Sequence, residues 1–187
     1  MNNELRKHIE KITSVSDKEF EYICSHFTSR KFRKHQYLIQ EGDPVLNDFF
    51  VVKGLLKASF TNEEGKEHIL QFAMEDWWIC DYQAYFNQTN ATLQVESLEE
   101  VEVLCLSLLN REKLCADLHK IEHFFRRKSN FGYIALQQRI LSLMNNNAKE
   151  RYELLLKQYP ALFQRVPKTL IAAYLGVSRE TLSRLSS

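Results

Sequence analysis

The segment Arg165-Val-Pro-Lys-Thr-Leu-Ile-Ala-Ala-Tyr-Leu-Gly-Val-Ser-Arg-Glu-Thr-Leu-Ser-Arg-Leu-Ser-Ser187 decides how the chain is read. Pro167 suits the first turn of a helix, where its missing N–H would have no intrahelical partner in any case, and Leu170, Ile171, Tyr174 and Leu175 follow at helical spacing. Gly176 stops that helix. Ser178 is a good N-cap for a second one: its hydroxyl can accept from an amide of the next turn, and Glu180 sits in that turn, where the helix dipole favours an anion. Two short helices joined by a tight glycine-containing turn make a helix-turn-helix.

Leu182 and Leu185 lie three apart and can pack back on the first helix, which leaves Arg179, Glu180, Ser183 and Arg184 facing outward. Those groups fit base edges. An arginine offers a planar fork to the O6 and N7 of guanine, and a glutamate can accept from the N4 amino group of cytosine. Lys168 and Thr169, at the start of the first helix, are placed for phosphates, which fix position without reading sequence. From Gln164 onward four basic residues (Arg165, Lys168, Arg179, Arg184) stand against one acid, Glu180, whereas the whole chain is only +1. Basic charge is therefore concentrated here. The competing reading is a solvated helical hairpin with ordinary surface charge.

Upstream, Leu114, Leu118, Ile121, Phe124, Phe125, Phe131, Ile134, Ala135, Leu141 and Met144 give apolar faces to a long helical stretch, with Asn110 as the expected cap and Asn145-Asn-Asn147 as its stop. Roughly twenty-five residues from Ile121 would span about 37 Å, more than one small domain covers, so a partner is implied. A further helix is expected over Glu150–Tyr159, ended by Pro160.

From Thr28 to Leu106 the period changes. Phe32, Tyr37-Leu-Ile39, Phe49-Phe-Val-Val52, Leu55–Phe60, His68–Phe72, Leu93-Gln-Val95 and Val101–Leu106 read as short strands. Glu41-Gly-Asp-Pro44, Lys53-Gly54 and Asn62-Glu-Glu-Gly65 separate them as turns, and many short strands with tight turns argue for an antiparallel barrel or roll. Ahead of them, Leu5, Ile9 and Ile12 recur at helical spacing, and Ser16 and Asp17 can cap a second short helix through Phe20, Ile23, Cys24 and Phe27.

The chain has 187 residues, 44% hydrophobic and 26% charged, enough for one good core and a smaller second one. It holds no run of about eighteen apolar residues and its first ten residues are too charged for a signal-peptide core, so a cytoplasmic protein with no membrane association is expected. Cys24, Cys80, Cys105 and Cys115, with no close pairing, read as reduced thiols.

The string Gly176-Val-Ser-Arg-Glu-Thr-Leu-Ser-Arg184 resembles the recognition helix of the Crp/Fnr family of bacterial transcription regulators. Gln40-Glu-Gly-Asp43, Phe49-Phe-Val-Val-Lys-Gly54 and Phe60-Thr-Asn-Glu-Glu-Gly-Lys-Glu67 resemble that family's cyclic-nucleotide-binding β-roll. The resemblance implies an α+β chain in three parts: an antiparallel β-roll (a double-stranded β-helix) over 1–109, a linker and dimerisation helix over 110–146, and a small, mainly helical helix-turn-helix domain over 147–187. It gives base reading to Arg179, Glu180 and Arg184, with Ser178, Ser183, Lys168 and Thr169 around them. It implies double-stranded DNA, a second copy of the chain and RNA polymerase as partners.

Relatives that bind cyclic AMP hold the ribose with a Gly-Glu pair and the cyclic phosphate with an Arg-Ser or Arg-Thr pair. The match puts Cys80, Asp81, Ala91 and Thr92 at those four positions, so the arginine is absent. A buried phosphate needs a fixed counter-charge, and no Lys or Arg lies between Lys66 and Arg111. Cyclic AMP is therefore not expected as effector, and no cofactor is assigned. Trp77, Trp78, Tyr82, Tyr85 and Phe86 crowd the same segment, either as core filling or as a pocket for an apolar or planar effector.

Cys115, His119 and His123, spaced four apart, are a weak metal candidate against the reading of a plain, partly buried interface. A lone Cys24 cannot supply the clustered cysteines of the family's iron–sulfur members. Three functions compete: a homodimeric DNA-binding regulator, a small-molecule sensor with vestigial DNA contact, and an enzyme. The last has no phosphate loop, metalloprotease motif or nucleophile elbow to support it.

Overall fold

A computed structural model describes residues 3–185; Ser186 and Ser187 of the terminal segment lie outside them. The chain opens with α1 (Asn3–Glu10) and α2 (Asp17–Cys24), and Ser16 and Glu19 close a reciprocal capping box at the start of α2. Eight strands follow: β1 (Thr28–Phe32), β2 (Tyr37–Ile39), β3 (Asn47–Lys53), β4 (Leu56–Thr61), β5 (Glu67–Ala73), β6 (Trp78–Ile79), β7 (Gln94–Ser97) and β8 (Val101–Ser107), with α3 (Tyr82–Asn87) between β6 and β7. They form two four-stranded sheets, ordered β1-β8-β3-β6 and β2-β7-β4-β5. The expected roll is present. The two-residue β6 and six-residue α3 were not distinguished in the sequence.

Period-2 alternation explains the unbroken apolar runs. On β3, Phe49 and Val51 point into one core with Val95, Val103 and Cys105, while Phe50 points into another with Leu5, Ile9, Ile23 and Phe124. Strand β8 does the same, sending Val103 and Cys105 one way and Leu104 and Leu106 the other. Each fully buried side chain of this size contributes about 1.5–3 kcal/mol. Gly54 turns between β3 and β4 at φ 101°, where an added Cβ would sit 2.5 Å from the Glu100 carbonyl oxygen, so both conformation and space exclude any other residue.

The helices after the roll differ from expectation in three places. Ser107, not Asn110, caps α4 (Leu108–Asp117), because β8 runs straight into it; the Asn110 side chain instead donates to the His26 carbonyl. The stretch breaks at Leu118, whose backbone is extended (φ −130°, ψ 95°), before α5 (His119–Asn145). And Pro160, which ends α6 (Ala148–Gln158), also begins another helix, α7 (Pro160–Arg165). The 27 residues of α5 span about 40 Å. Among the described residues no helix is long and apolar enough to cross a membrane.

The molecule divides into two compact units. The first holds the residues up to Ala58 with Gln71–Ser129; the second holds Ser59–Leu70, the end of the β4–β5 hairpin, with the residues from Asn130 onward. In the second unit Leu155, Leu162, Val166, Ile171, Ala172, Leu175 and Leu182 are buried, and Tyr152 meets Phe163 edge to face.

Candidate nucleic-acid interface and effector segment

The helix-turn-helix is α8 (Lys168–Leu175) and α9 (Arg179–Leu185). Pro167 stands just outside α8 as its N-cap, with a non-helical ψ of 140°, rather than within the first turn. Gly176 ends α8 in the left-handed region at φ 68°, and its N–H reaches the carbonyls of Ala172 and Ala173. The Ser178 hydroxyl accepts from the Thr181 amide at 3.1 Å and starts α9.

Leu182 turns inward at 1% exposure while Arg179, Glu180, Ser183 and Arg184 are exposed. Lys168 and Thr169 are exposed at the start of α8. Hydrogen bonds from its own backbone N–H and from Ser178, aided by Arg179 and Arg184, hold the Glu180 carboxyl below the usual range, so it is an ionised acceptor. Ser178 faces solvent, but its hydroxyl is engaged by the cap and by Thr181.

Two arginines that the sequence reading passed over fix the turn. Arg151 donates to the Leu175 carbonyl at 3.0 Å and the Asn146 carbonyl at 2.7 Å, and Arg139 donates to the Tyr174 carbonyl at 3.0 Å. The last carbonyls of α8 need such donors, and cations suit a helix C-terminus. That requirement was the only available signal, and it does not say which arginines meet it.

In the first unit, Asp81 N-caps α3. Its Oδ1 accepts from the Ala84 amide at 3.1 Å, and its Oδ2 accepts from the Thr92 amide at 2.7 Å, the Thr92 hydroxyl at 3.0 Å and the Leu93 amide at 3.1 Å. Asp81 is 1% exposed. Ala91 packs into the roll core, and its backbone exchanges hydrogen bonds of 2.8 Å with Asp43 and Gly42. The Cys80 thiol donates to the Asn47 carbonyl, and burial, with Asp48 and Asp81 nearby, raises its pKa.

Tyr82 turns to a different group. Its hydroxyl donates to Asp48 at 3.3 Å, and Asp48 in turn accepts from Arg111 at 3.2 Å. The Arg111 guanidinium lies 4.1 Å from the Phe125 ring centre. Burial pushes the Asp48 carboxyl up to about 7 against the opposing pull of Arg111. A second buried cation, Lys57, pairs with Glu96 at 3.1 Å.

Two sequence candidates are corrected. Trp78 is separate from the Asp81 group: it fills the core beneath α1, tilted against Phe50 and edge to face with Phe125, and its indole N–H donates to His8 Nε2 at 3.1 Å. Cys115, His119 and His123 do not share a helical face, because the break at Leu118 puts Cys115 on α4 and both histidines on α5. Among the described residues no group of three His, Cys, Asp or Glu is placed to hold a metal ion. A concavity of about 480 Å³ lies elsewhere, between Leu5, Cys24, Phe27, Val52 and Leu104.

Residues 29–117 match the cyclic nucleotide-binding domain family. The chain is 23% identical to the cAMP-activated global transcriptional regulator CRP of Haemophilus influenzae, over 99% of this chain and 90% of that protein. It is 27% identical to the probable cyclic nucleotide-gated ion channel 5 of Arabidopsis thaliana over 60% of its length, and spans 18% of the channel. Its fold matches the structure of FixK2 from Bradyrhizobium japonicum with a TM-score of 0.74 at 19% identity, covering 86% of this chain and 82% of that one.

Proposed function

We propose that the chain is a transcription regulator of the Crp/Fnr type that binds DNA sequence-specifically as a homodimer. One observation carries the reading: α9 buries Leu182 and presents Arg179, Glu180, Ser183 and Arg184 to solvent. Arg179 and Arg184 read guanine and Glu180 reads cytosine in the major groove, while Lys168 and Thr169 hold phosphates. RNA polymerase is the further partner, and the cytoplasm the place of action.

Dimerisation runs through α5. Tyr133, Leu136, Ile140 and Leu143 recur at steps of three, four and three, the spacing of a coiled-coil seam, and all four are exposed. A two-fold axis along this seam sets two copies of α9 on an inverted repeat with half-sites about 34 Å apart.

Cyclic AMP does not fit the residues present. Ala91 offers no charge, and the buried cations Arg111 and Lys57 are paired with Asp48 and Glu96. A cyclic phosphate would thus lose its water without gaining a counter-charge. Selection from a pool of random duplexes by mobility shift tests the proposal: recovery of a palindrome supports it, and purely salt-labile, sequence-blind binding overturns it. Titration calorimetry with cyclic AMP tests the effector reading, which a sub-micromolar heat signal would end.

A further inference from the structure

Consecutive backbone amides and a hydroxyl that converge on one point make a nest for an anion. Thr92 N–H, Thr92 O–H and Leu93 N–H converge in this way on a single oxygen, and that oxygen belongs to Asp81 of the same chain. These residues lie inside the stretch that matches the cyclic nucleotide-binding domain, whose ligand class carries a phosphodiester anion. We propose that the Asp81 carboxylate is a built-in anion, filling the roll's phosphate nest so that the regulator is held in one state and takes no anionic effector there. The inference rests on the reading of this segment as the family's effector site.

The charge balance agrees. The buried neighbourhood already holds two carboxyl groups, Asp48 and Asp81, and its one guanidinium, Arg111, is committed to Asp48. A phosphate would add negative charge beside Asp81 with Arg111 already engaged. It would also have to displace Asp81, leaving that carboxylate buried without its three donors. The other oxygen of Asp81 is fixed too, by the Ala84 amide at the start of α3, so the carboxylate ties α3 to the chain at Thr92 and Leu93.

Asp81→Ser is the informative change, because serine keeps the cap on Ala84 but is too short to fill the nest. The readout is the melting temperature of the full chain, without DNA, in inorganic phosphate against chloride of matched ionic strength. The wild type should melt alike in both. Asp81→Ser should melt lower by about 4 °C or more and recover part of the loss in phosphate only. A wild type stabilised by phosphate as strongly as the variant overturns the proposal, and so does a folded variant that ignores phosphate.

If Asp81→Ser does not fold, the wild type decides alone. Slow hydrogen exchange at the Thr92 and Leu93 amides, unchanged by phosphate, supports the self-filled nest; calorimetric binding of phosphate or cyclic AMP overturns it. Operator binding is scored separately on ligand-free wild type. A filled nest without DNA binding would end the regulator reading alone, and DNA binding with an anion-responsive wild type would end this inference alone.

Discussion

The guanidinium of Arg139 lies 3.6 Å from the ring centre of Tyr174 and donates to the carbonyl of that same residue at 3.0 Å. It also donates to the Ile69 carbonyl at 3.0 Å, so one side chain on α5 ties the end of the β4–β5 hairpin to the first helix of the helix-turn-helix within the second unit. Arg139→Ala leaves both carbonyls short of a charged donor and removes the stacked cation. The expected loss is about 2–4 kcal/mol, measured by urea unfolding. Arg139→Lys should recover less than half of it, since an ammonium lacks the planar face that stacks on Tyr174 while Nη2 donates to both carbonyls. Equality of the lysine variant with wild type would show that charge alone matters here.

The seam on α5 makes a separate prediction. Ile140 is 56% exposed, so Ile140→Asp removes little packing from a single subunit and should leave its secondary structure intact. In a dimer the same change buries an unpaired carboxylate, twice, at the interface. Sedimentation should therefore show a concentration-dependent dimer for wild type and a monomer for the variant, with operator affinity falling in parallel. A variant that stays dimeric places the interface elsewhere.

Legibility in the sequence followed the range of the interactions. The Ser16 cap, the turns at Gly42, Gly54 and Gly176, and the stop of α5 at Asn145 depend on neighbours a few residues away, and spacing alone reveals them, whereas the use of Asn147 as the cap of α6 went unread. The two-faced burial of β3 was not readable, because Phe49-Phe-Val-Val52 has no polar alternation when both faces are covered. Ser107 and Asn110 are both good caps, and only the run of β8 up to Ser107 decides between them. Asp81 could be matched to a ribose-binding position, but its commitment to Thr92 and Leu93, eleven and twelve residues away, is tertiary.

His8 gives the first unit a pH dependence. An indole N–H can only donate, so Nε2 of His8 accepts from Trp78, Nδ1 carries the proton, and that proton is given to Asp76 at 2.6 Å. Burial, with Lys128 and Lys11 nearby and against the pull of Asp76, lowers the pKa of His8 to about 4. The folded form thus keeps the ring neutral where the unfolded chain would protonate it. Its contribution is fully present above the ordinary value near 6.5 and is lost as pH falls toward about 4, an effect on the order of 3 kcal/mol. Urea midpoints between pH 7.5 and 4.5 should fall for wild type and fall less for His8→Gln, which does not titrate. Equal slopes for the two proteins would mean that other groups set the acid limit.

Arginines on α9 and the lysine at the start of α8 should fail differently when removed. Arg179 and Arg184 are exposed, so Arg179→Ala or Arg184→Ala should leave the fold intact. Each should cost about 1–3 kcal/mol on the selected operator, roughly five- to 150-fold in Kd, and relax preference at one base position per half-site. Lys168→Ala should weaken every sequence alike and flatten the salt dependence by about one unit, because a phosphate contact releases a counterion without reading a base. Binding to a panel of single-base operator variants at two salt concentrations separates the two behaviours. If the arginine variants lose affinity evenly across that panel, α9 holds the backbone and the sequence is read by something else.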